Sequence, residues 1–194
     1  KGKYPFIMKA DGVGSIFGPA MAEGPFPEHY EPLESPLTKN PMSDQLHNPA
    51  IEIFEGELDQ VANASEKFPY VCTTYSCTEH WCSGALTRWQ AWLLEMQPEL
   101  YVEIGEALAK EKGILNGQKV KVSSMRGEVK CVAMVTKRFV PFTIEGKTVH
   151  QVGMPFNYGW LYPEDGGDSA NILTTTVGDA NVFCPEYKAF MVNV

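Results

Sequence analysis

No stretch of the sequence approaches the ~20 consecutive apolar residues of a membrane-spanning helix. Positive charge is also scarce. Against 24 acidic side chains stand 16 basic ones, a formal net charge of −8, and after residue 150 the only basic side chain is Lys188. That balance excludes a partner held mainly through nucleic-acid phosphates. Cysteine is sparse and odd in number at five, without the framework spacing of a small secreted protein. A chain of this length buries roughly 70% of its unfolded surface and needs no disulfide staple. The glycine-rich phosphate loops Gly-x-x-x-x-Gly-Lys-Ser/Thr and Gly-x-Gly-x-x-Gly are missing, as is the Gly-x-Ser-x-Gly elbow. Internal repeats and low-complexity tracts are absent too. What remains is 194 residues, 44% hydrophobic and 21% charged. That suits one folded domain with an appended arm and excludes disorder over the whole length.

Proline and charge divide this chain. Eight of its 14 prolines fall within the first 50 residues: Pro5, Pro19, Pro25, Pro27, Pro32, Pro36, Pro41 and Pro49. Proline lacks a backbone donor and restricts the residue before it, so residues 12–49 are neither regular helix nor central strand. Tyr4, Phe6, Ile7, Phe17, Phe26 and Tyr30 are too many apolar anchors for a solvated linker. Residues 1–67 are therefore expected to form an extended, proline-rich arm on another surface, and 68–194 a domain. The arm carries net −6, residues 68–114 net −3, 115–150 net +5 and 151–194 net −4. The basic segment reads as an outer strand face, because Lys119-Val120-Lys121-Val122 alternates with period two.

Local signals sharpen from Phe68 onward. Residues 70–75 read as a strand. Ser83 is placed to cap a helix over 84–96 that buries Leu86, Trp89, Leu93 and Met96 before Pro98 stops it. A short strand over 101–104 leads into a helix over 106–112 closed by Gly113. Strands are expected over 119–123 and 128–136, then over 148–153 after the Glu145-Gly146 turn, and over 188–194. The sum is mainly β with short helices (α+β), most simply a small closed barrel.

Chemistry concentrates in two loops. Thr73-Thr74-Tyr75-Ser76-Cys77-Thr78-Glu79-His80-Trp81 links a strand to a helix, where backbone N–H groups can face a ligand. Glu79 and His80 have the types of an acid/base pair, but no nucleophile or orienting third group is readable beside them. Cys72, Cys77 and Cys82 stand five apart, which is not a zinc or iron–sulfur spacing, and free thiols, buried or half-buried, are the plain alternative. Residues 153–188 have little periodicity and are rich in amides, hydroxyls, carboxylates and rings, suiting a polar heterocycle. Asp179 has the acceptor geometry to read a purine's N1–H and exocyclic amine. No complete metal-ligand set and no catalytic residue is readable.

Five motifs together resemble one family: residues 73–81, Tyr101-Val102-Glu103-Ile104-Gly105, Val120-Lys121-Val122-Ser123-Ser124, Gly178-Asp179-Ala180-Asn181 with Pro185-Glu186-Tyr187-Lys188, and, in the arm, Met21-Ala22-Glu23-Gly24-Pro25-Phe26-Pro27-Glu28-His29-Tyr30-Glu31-Pro32. They resemble the C-terminal part of the large (alpha) subunit of molybdenum or tungsten bis-pterin formate dehydrogenases, in collinear order over essentially the whole chain. The resemblance implies a six-stranded double-psi β-barrel that binds and caps molybdopterin guanine dinucleotide (bis-MGD with Mo or W). It implies cofactor contacts from Thr73, Thr74, Tyr75, Thr78, Glu79, His80 and Trp81. Asn157, Tyr158, Asn171 and Asp179 would line the cleft, and Tyr187 and Lys188 would close it. Ser76 stands where relatives often carry arginine, and Asn157 where some carry histidine. The same resemblance implies formate and carbon dioxide as substrate and product. It puts the metal ligand and 4Fe-4S clusters in other parts of the enzyme, and makes the remaining N-terminal part of the subunit and an iron–sulfur electron-transfer subunit the partners. Lys1-Gly2-Lys3 then reads as the start of a severed piece, inactive alone. The resemblance leans to a periplasmic location, and five apparently free cysteines lean to a cytoplasmic one. Two other readings compete: a non-enzymatic nucleotide- or protein-binding module on the same barrel, and a thiol or zinc enzyme built on Cys72, Cys77, His80 and Cys82.

Overall fold

Alternating burial builds the sheet. The structure is a computed structural model that describes residues 31–41, 44, 56–159, 168–179 and 183–194. Strand β1 (Tyr70–Tyr75) buries Tyr70, Cys72 and Thr74 on one face and leaves Val71, Thr73 and Tyr75 half-buried on the other. Helix α1 (Ala91–Met96) follows, then β2 (Tyr101–Gly105), whose Val102, Glu103, Ile104 and Gly105 are all buried. Helix α2 (Glu106–Lys112) ends at Gly113, whose left-handed φ of 68° lets its N–H reach the Ala109 and Lys110 carbonyls. Strands β3 (Lys119–Ser123) and β4 (Glu128–Thr136) form a hairpin. Next come β5 (Phe142–Ile144), β6 (Lys147–Val149), β7 (Gln151–Pro155) and, near the end, β8 (Phe190–Val192).

Six of these strands make one sheet in the order β3-β4-β2-β7-β1-β8, and β5 and β6 pair separately. β1 runs parallel to β7 and β2 parallel to β4, while the β2–β7, β3–β4 and β1–β8 pairs are antiparallel. The sheet curls until its two edges meet. Ser123, at the end of β3, and Asn193, just past β8, exchange two backbone hydrogen bonds of 2.9 Å. The core inside the curl holds Leu100, Ile104, Leu108, Val122, Met154 and Phe190.

The architecture is thus mainly β with short helices, and β1, α2, β3 and β4 occupy the residues expected for them. Three expectations are corrected. The helix over 84–96 is instead a 3-10 turn at Thr87–Trp89 followed by the six residues of α1, separated at Gln90, whose ψ of 113° is extended. Most of its supposed buried face lies in solvent, with Leu86, Trp89 and Met96 each about two-thirds exposed and Leu93 half-buried. The strand over 148–153 is split at His150 into β6 and β7. The closing strand shrinks to β8, because residues 188–189 bend.

Most of residues 1–67, where the arm is expected, including 21–30 of the motif, lies outside the described residues, as do Trp160, 165–167, Ala180 and Asn181. Within residues 31–41, Leu33, Glu34, Ser35, Leu37 and Asn40 are buried. Ser35 N–H donates to Asn63 Oδ1 at 2.8 Å, and Ala64 N–H to the Ser35 carbonyl at 2.9 Å.

Candidate functional site

The parallel pairing of β1 with β7 sets their C-terminal ends side by side, and the residues after them converge there. Lys188 Nζ donates to the Thr74 carbonyl at 2.7 Å, and Thr74 Oγ1 donates to the Tyr187 carbonyl at 2.8 Å. Phe156 N–H continues the ladder to the Tyr75 carbonyl at 3.0 Å. The Phe156 and Tyr187 rings meet edge-on at 6.1 Å, and the Lys188 ammonium lies 5.6 Å and 5.0 Å from their centroids, within cation–π range. Thr74, Tyr75, Tyr187 and Lys188 are therefore brought together. On the other face, the Tyr75 hydroxyl donates to the Glu103 carboxylate, which also takes a hydrogen bond from Arg138. Burial, then that hydrogen bond, pushes the Tyr75 hydroxyl far up, so it stays a donor.

A second group folds the loop 76–90. Asn157 is fully buried. Its Oδ1 accepts from Cys77 N–H at 2.7 Å, and its Nδ2 donates to the His80 carbonyl at 3.1 Å and the Cys82 carbonyl at 2.6 Å. His80 is buried too, with Nε2 2.7 Å from the Gln97 carbonyl and Nδ1 3.2 Å from Thr87 Oγ1. Tyr158 donates to the same Gln97 carbonyl at 2.9 Å and meets the His80 ring edge-on at 5.4 Å. Buried Arg88 bonds the Gly84 and Gly159 carbonyls at 3.2 and 2.6 Å, and burial lowers its pKa. The side chains of Asn157, His80, Tyr158 and Arg88 are thus committed to the loop. Thr78 and Trp81 are exposed, and Thr73 and Glu79 half-buried.

Beside the first group opens a cavity of about 740 Å³, lined by Leu58, Arg126, Phe156, Asn171, Ile172, Thr174, Thr175, Thr176, Pro185 and Tyr187. It falls within the ~300–1,000 Å³ of small-molecule sites. Asn171 is exposed on the 3-10 turn Ala170–Leu173 and shares this wall with Tyr187. Thr175 Oγ1 is buried with no hydrogen-bond partner in the structure, which is rare enough to ask for a ligand or water. Asp179 stands apart on a turn, where its Oδ1 accepts from Cys184 N–H at 2.8 Å and its N–H donates to the Cys184 carbonyl at 3.1 Å.

Arg126 and the hydroxyl run 174–176 carry no local signal in the sequence. Only pairing far along the chain brings these to one wall. All five cysteines are free. Cys72, Cys77 and Cys131 are buried, and Cys82 and Cys184 are exposed. Burial pushes the Cys131 thiol up to about 12 and raises the Cys72 and Cys77 thiols as well. No group of three His, Cys, Asp or Glu among the described residues is placed to hold a metal ion. No helix among them is long and apolar enough to cross a membrane.

A sequence model described as the molydopterin dinucleotide binding domain matches residues 70–191. The chain is 49% identical over its full length to the formate dehydrogenase subunit alpha of Megalodesulfovibrio gigas. Over 98% of its length it is 47% identical to the nitrate-inducible formate dehydrogenase major subunit of Escherichia coli. It spans 19% of the length of each of these relatives. Among solved structures, the acetylene hydratase from Pelobacter acetylenicus matches the fold with a TM-score of 0.51 at 14% identity, over 87% of this chain and 21% of that one.

Proposed function

The chain belongs to the molybdopterin dinucleotide-binding domain family, and from that premise we propose that it caps and positions the bis-pterin guanine dinucleotide cofactor of a molybdenum- or tungsten-dependent formate dehydrogenase. The observation that carries this reading is the cavity. Its wall combines two aromatic rings, an amide and a run of hydroxyls, and it includes the one partnerless buried hydroxyl among the described residues, at Thr175. Rings stack on a pterin or purine, and hydroxyls and amides meet its polar edges, so the residues present fit the group. The cofactor, when bound, supplies the metal and the redox chemistry.

In this reading the curled sheet is a double-psi barrel and residues 1–67 are an arm laid over the rest of the large subunit. Phe156, Asn171 and Tyr187 face the ligand, Thr74 and Lys188 hold that corner closed, and Asp179 reads the guanine from its turn. The loop 73–81 presents Thr73, Thr78, Glu79 and Trp81, while Asn157, His80 and Tyr158 hold it in shape. Arg126 spends all five of its N–H donors on protein acceptors. The cofactor's phosphates would then be met by backbone N–H groups and hydroxyls here and by basic residues elsewhere in the enzyme. Electrons would leave through 4Fe-4S clusters toward an iron–sulfur subunit, and the enzyme would work in the periplasm. The test is metal analysis, pterin fluorescence after oxidation, and formate-dependent dye reduction on the intact enzyme containing this chain. Molybdenum or tungsten with pterin and formate activity is expected. Finding neither metal, and no pterin, overturns the proposal.

A further inference from the structure

We infer that Arg126 is a positioning residue that locks the arm segment around Glu34 to the cavity wall, so that seating of the arm and occupancy of the cavity stabilise each other. The inference rests on the cofactor reading of that cavity. Arg126 and Glu34 form an ion pair with side-chain exposures of 0% and 1%. Every group in it is used. Arg126 Nη1 donates to Glu34 Oε1 and to the Gln60 carbonyl (2.7 Å for the latter). Nη2 donates to Glu34 Oε2 at 2.8 Å and to the Leu173 carbonyl at 2.7 Å, and Nε reaches Leu173 again at 3.0 Å. The two oxygens of Glu34 also accept from Ala62 N–H at 2.9 Å and Met191 N–H at 2.7 Å.

One pair therefore ties four remote pieces of chain: the arm at Glu34, the segment 60–62, the end of the turn Ala170–Leu173, and β8. Two of these matter for the cavity. The turn ending at Leu173 carries Asn171 and Ile172, and 174–176 follow it directly. A second tie reinforces the first, since Thr176 Oγ1 donates to the buried Asp59. The corner before β4 packs as tightly, for a Cβ on Gly127 would lie 2.8 Å from Ile172 Cγ2.

Removing one member of a buried ion pair strands the other's charge, whereas replacing both by apolar groups often leaves stability intact. Two sites joined by one such element must also affect each other by the same factor.

The experiment uses the intact enzyme with Glu34→Gln and with the double change Glu34→Leu/Arg126→Met. Bound pterin is followed during dialysis, and hydrogen exchange is followed in peptides covering 33–41 and 60–64, with and without cofactor. In the wild type, cofactor is expected to slow exchange in those peptides about tenfold, and Glu34→Gln to cost about tenfold in cofactor retention, within the usual range of coupling between sites. The double variant removes the charges but leaves the Ala62 and Met191 N–H groups and the Gln60 and Leu173 carbonyls unpartnered. It is expected to melt below the wild type and to lose cofactor at least as fast as the single one, because Leu173 has lost its donor. If the double variant retains cofactor like the wild type, or if cofactor leaves arm exchange unchanged, the lock is refuted while the cofactor reading stands. A wild-type enzyme without pterin overturns both.

Discussion

Asn157 shows how much of a loop one side chain can hold. Its amide satisfies one N–H and two carbonyls that are otherwise shut away from water. Truncation strands all three, at ~1–3 kcal/mol apiece. Asn157→Ala should lower the thermal midpoint of the enzyme by several degrees, and an unchanged midpoint would refute the pinning role. Asp179 invites a subtler change, because its Oδ1 accepts a turn hydrogen bond that an asparagine carbonyl can also accept. Asp179→Asn should keep the turn but present an amide where a purine needs two acceptors. Cofactor content should therefore fall while the melting temperature holds. Equal content in variant and wild type would reduce Asp179 to a turn former. The buried thiols give a pH statement. An unfolded Cys131 thiol ionises near its ordinary 9.0, whereas the folded one stays protonated to about 12. Raising the pH across that window therefore favours the unfolded chain. At pH 8 the folded enzyme should show no iodoacetamide adduct on Cys72, Cys77 or Cys131 by peptide mass mapping. Labelling there before unfolding would show that these thiols are not enclosed.

At the scale of elements, the legible parts were those governed by neighbours in sequence. Strand β3 follows from the alternation of Lys119, Val120, Lys121 and Val122, and helix α2 ends where Gly113 permits a left-handed residue. The loop 76–90 was illegible for a physical reason. Leu86, Trp89 and Met96 have helical spacing, but Asn157, 60 or more residues downstream, sets the path of the chain. Gly84, at φ +77°, sits so close to the Asn157 carbonyl that an added Cβ would lie 2.1 Å from its oxygen. That left-handed φ is incompatible with a right-handed helix, so the helix cannot begin where Ser83 invites it. Gly84→Ala should force the loop off Asn157 and release cofactor without touching any ligand-facing group. The outcome is read as pterin content together with protease cleavage between 76 and 90. A variant with wild-type content and an intact loop would show that the contact yields easily.

For the whole molecule, half of the candidate site was readable and half was not, and the division follows the topology. Tyr187 and Lys188 belong to a recognisable motif, and the parallel register of β1 with β7 delivers them to Thr74. Arg126 carries no local signal, because its meaning comes from Glu34, 92 residues earlier. The resulting site has rings, amides and hydroxyls suited to a ligand but offers no set of metal-binding side chains among the described residues. That places a limit on what any substitution here can do. Lys188→Met removes the bond to the Thr74 carbonyl and both ring contacts while keeping an apolar stem. It should lower cofactor retention by about fivefold, the worth of ~1 kcal/mol of hydrogen bonding. On the proposed reading it should leave formate turnover per bound cofactor unchanged, because the reacting atoms would be held elsewhere. Metal, pterin and rate must then fall in the same proportion. A variant that keeps its full complement of cofactor yet turns over more slowly would mean that this corner acts on the reaction itself and not only on retention of the group that performs it.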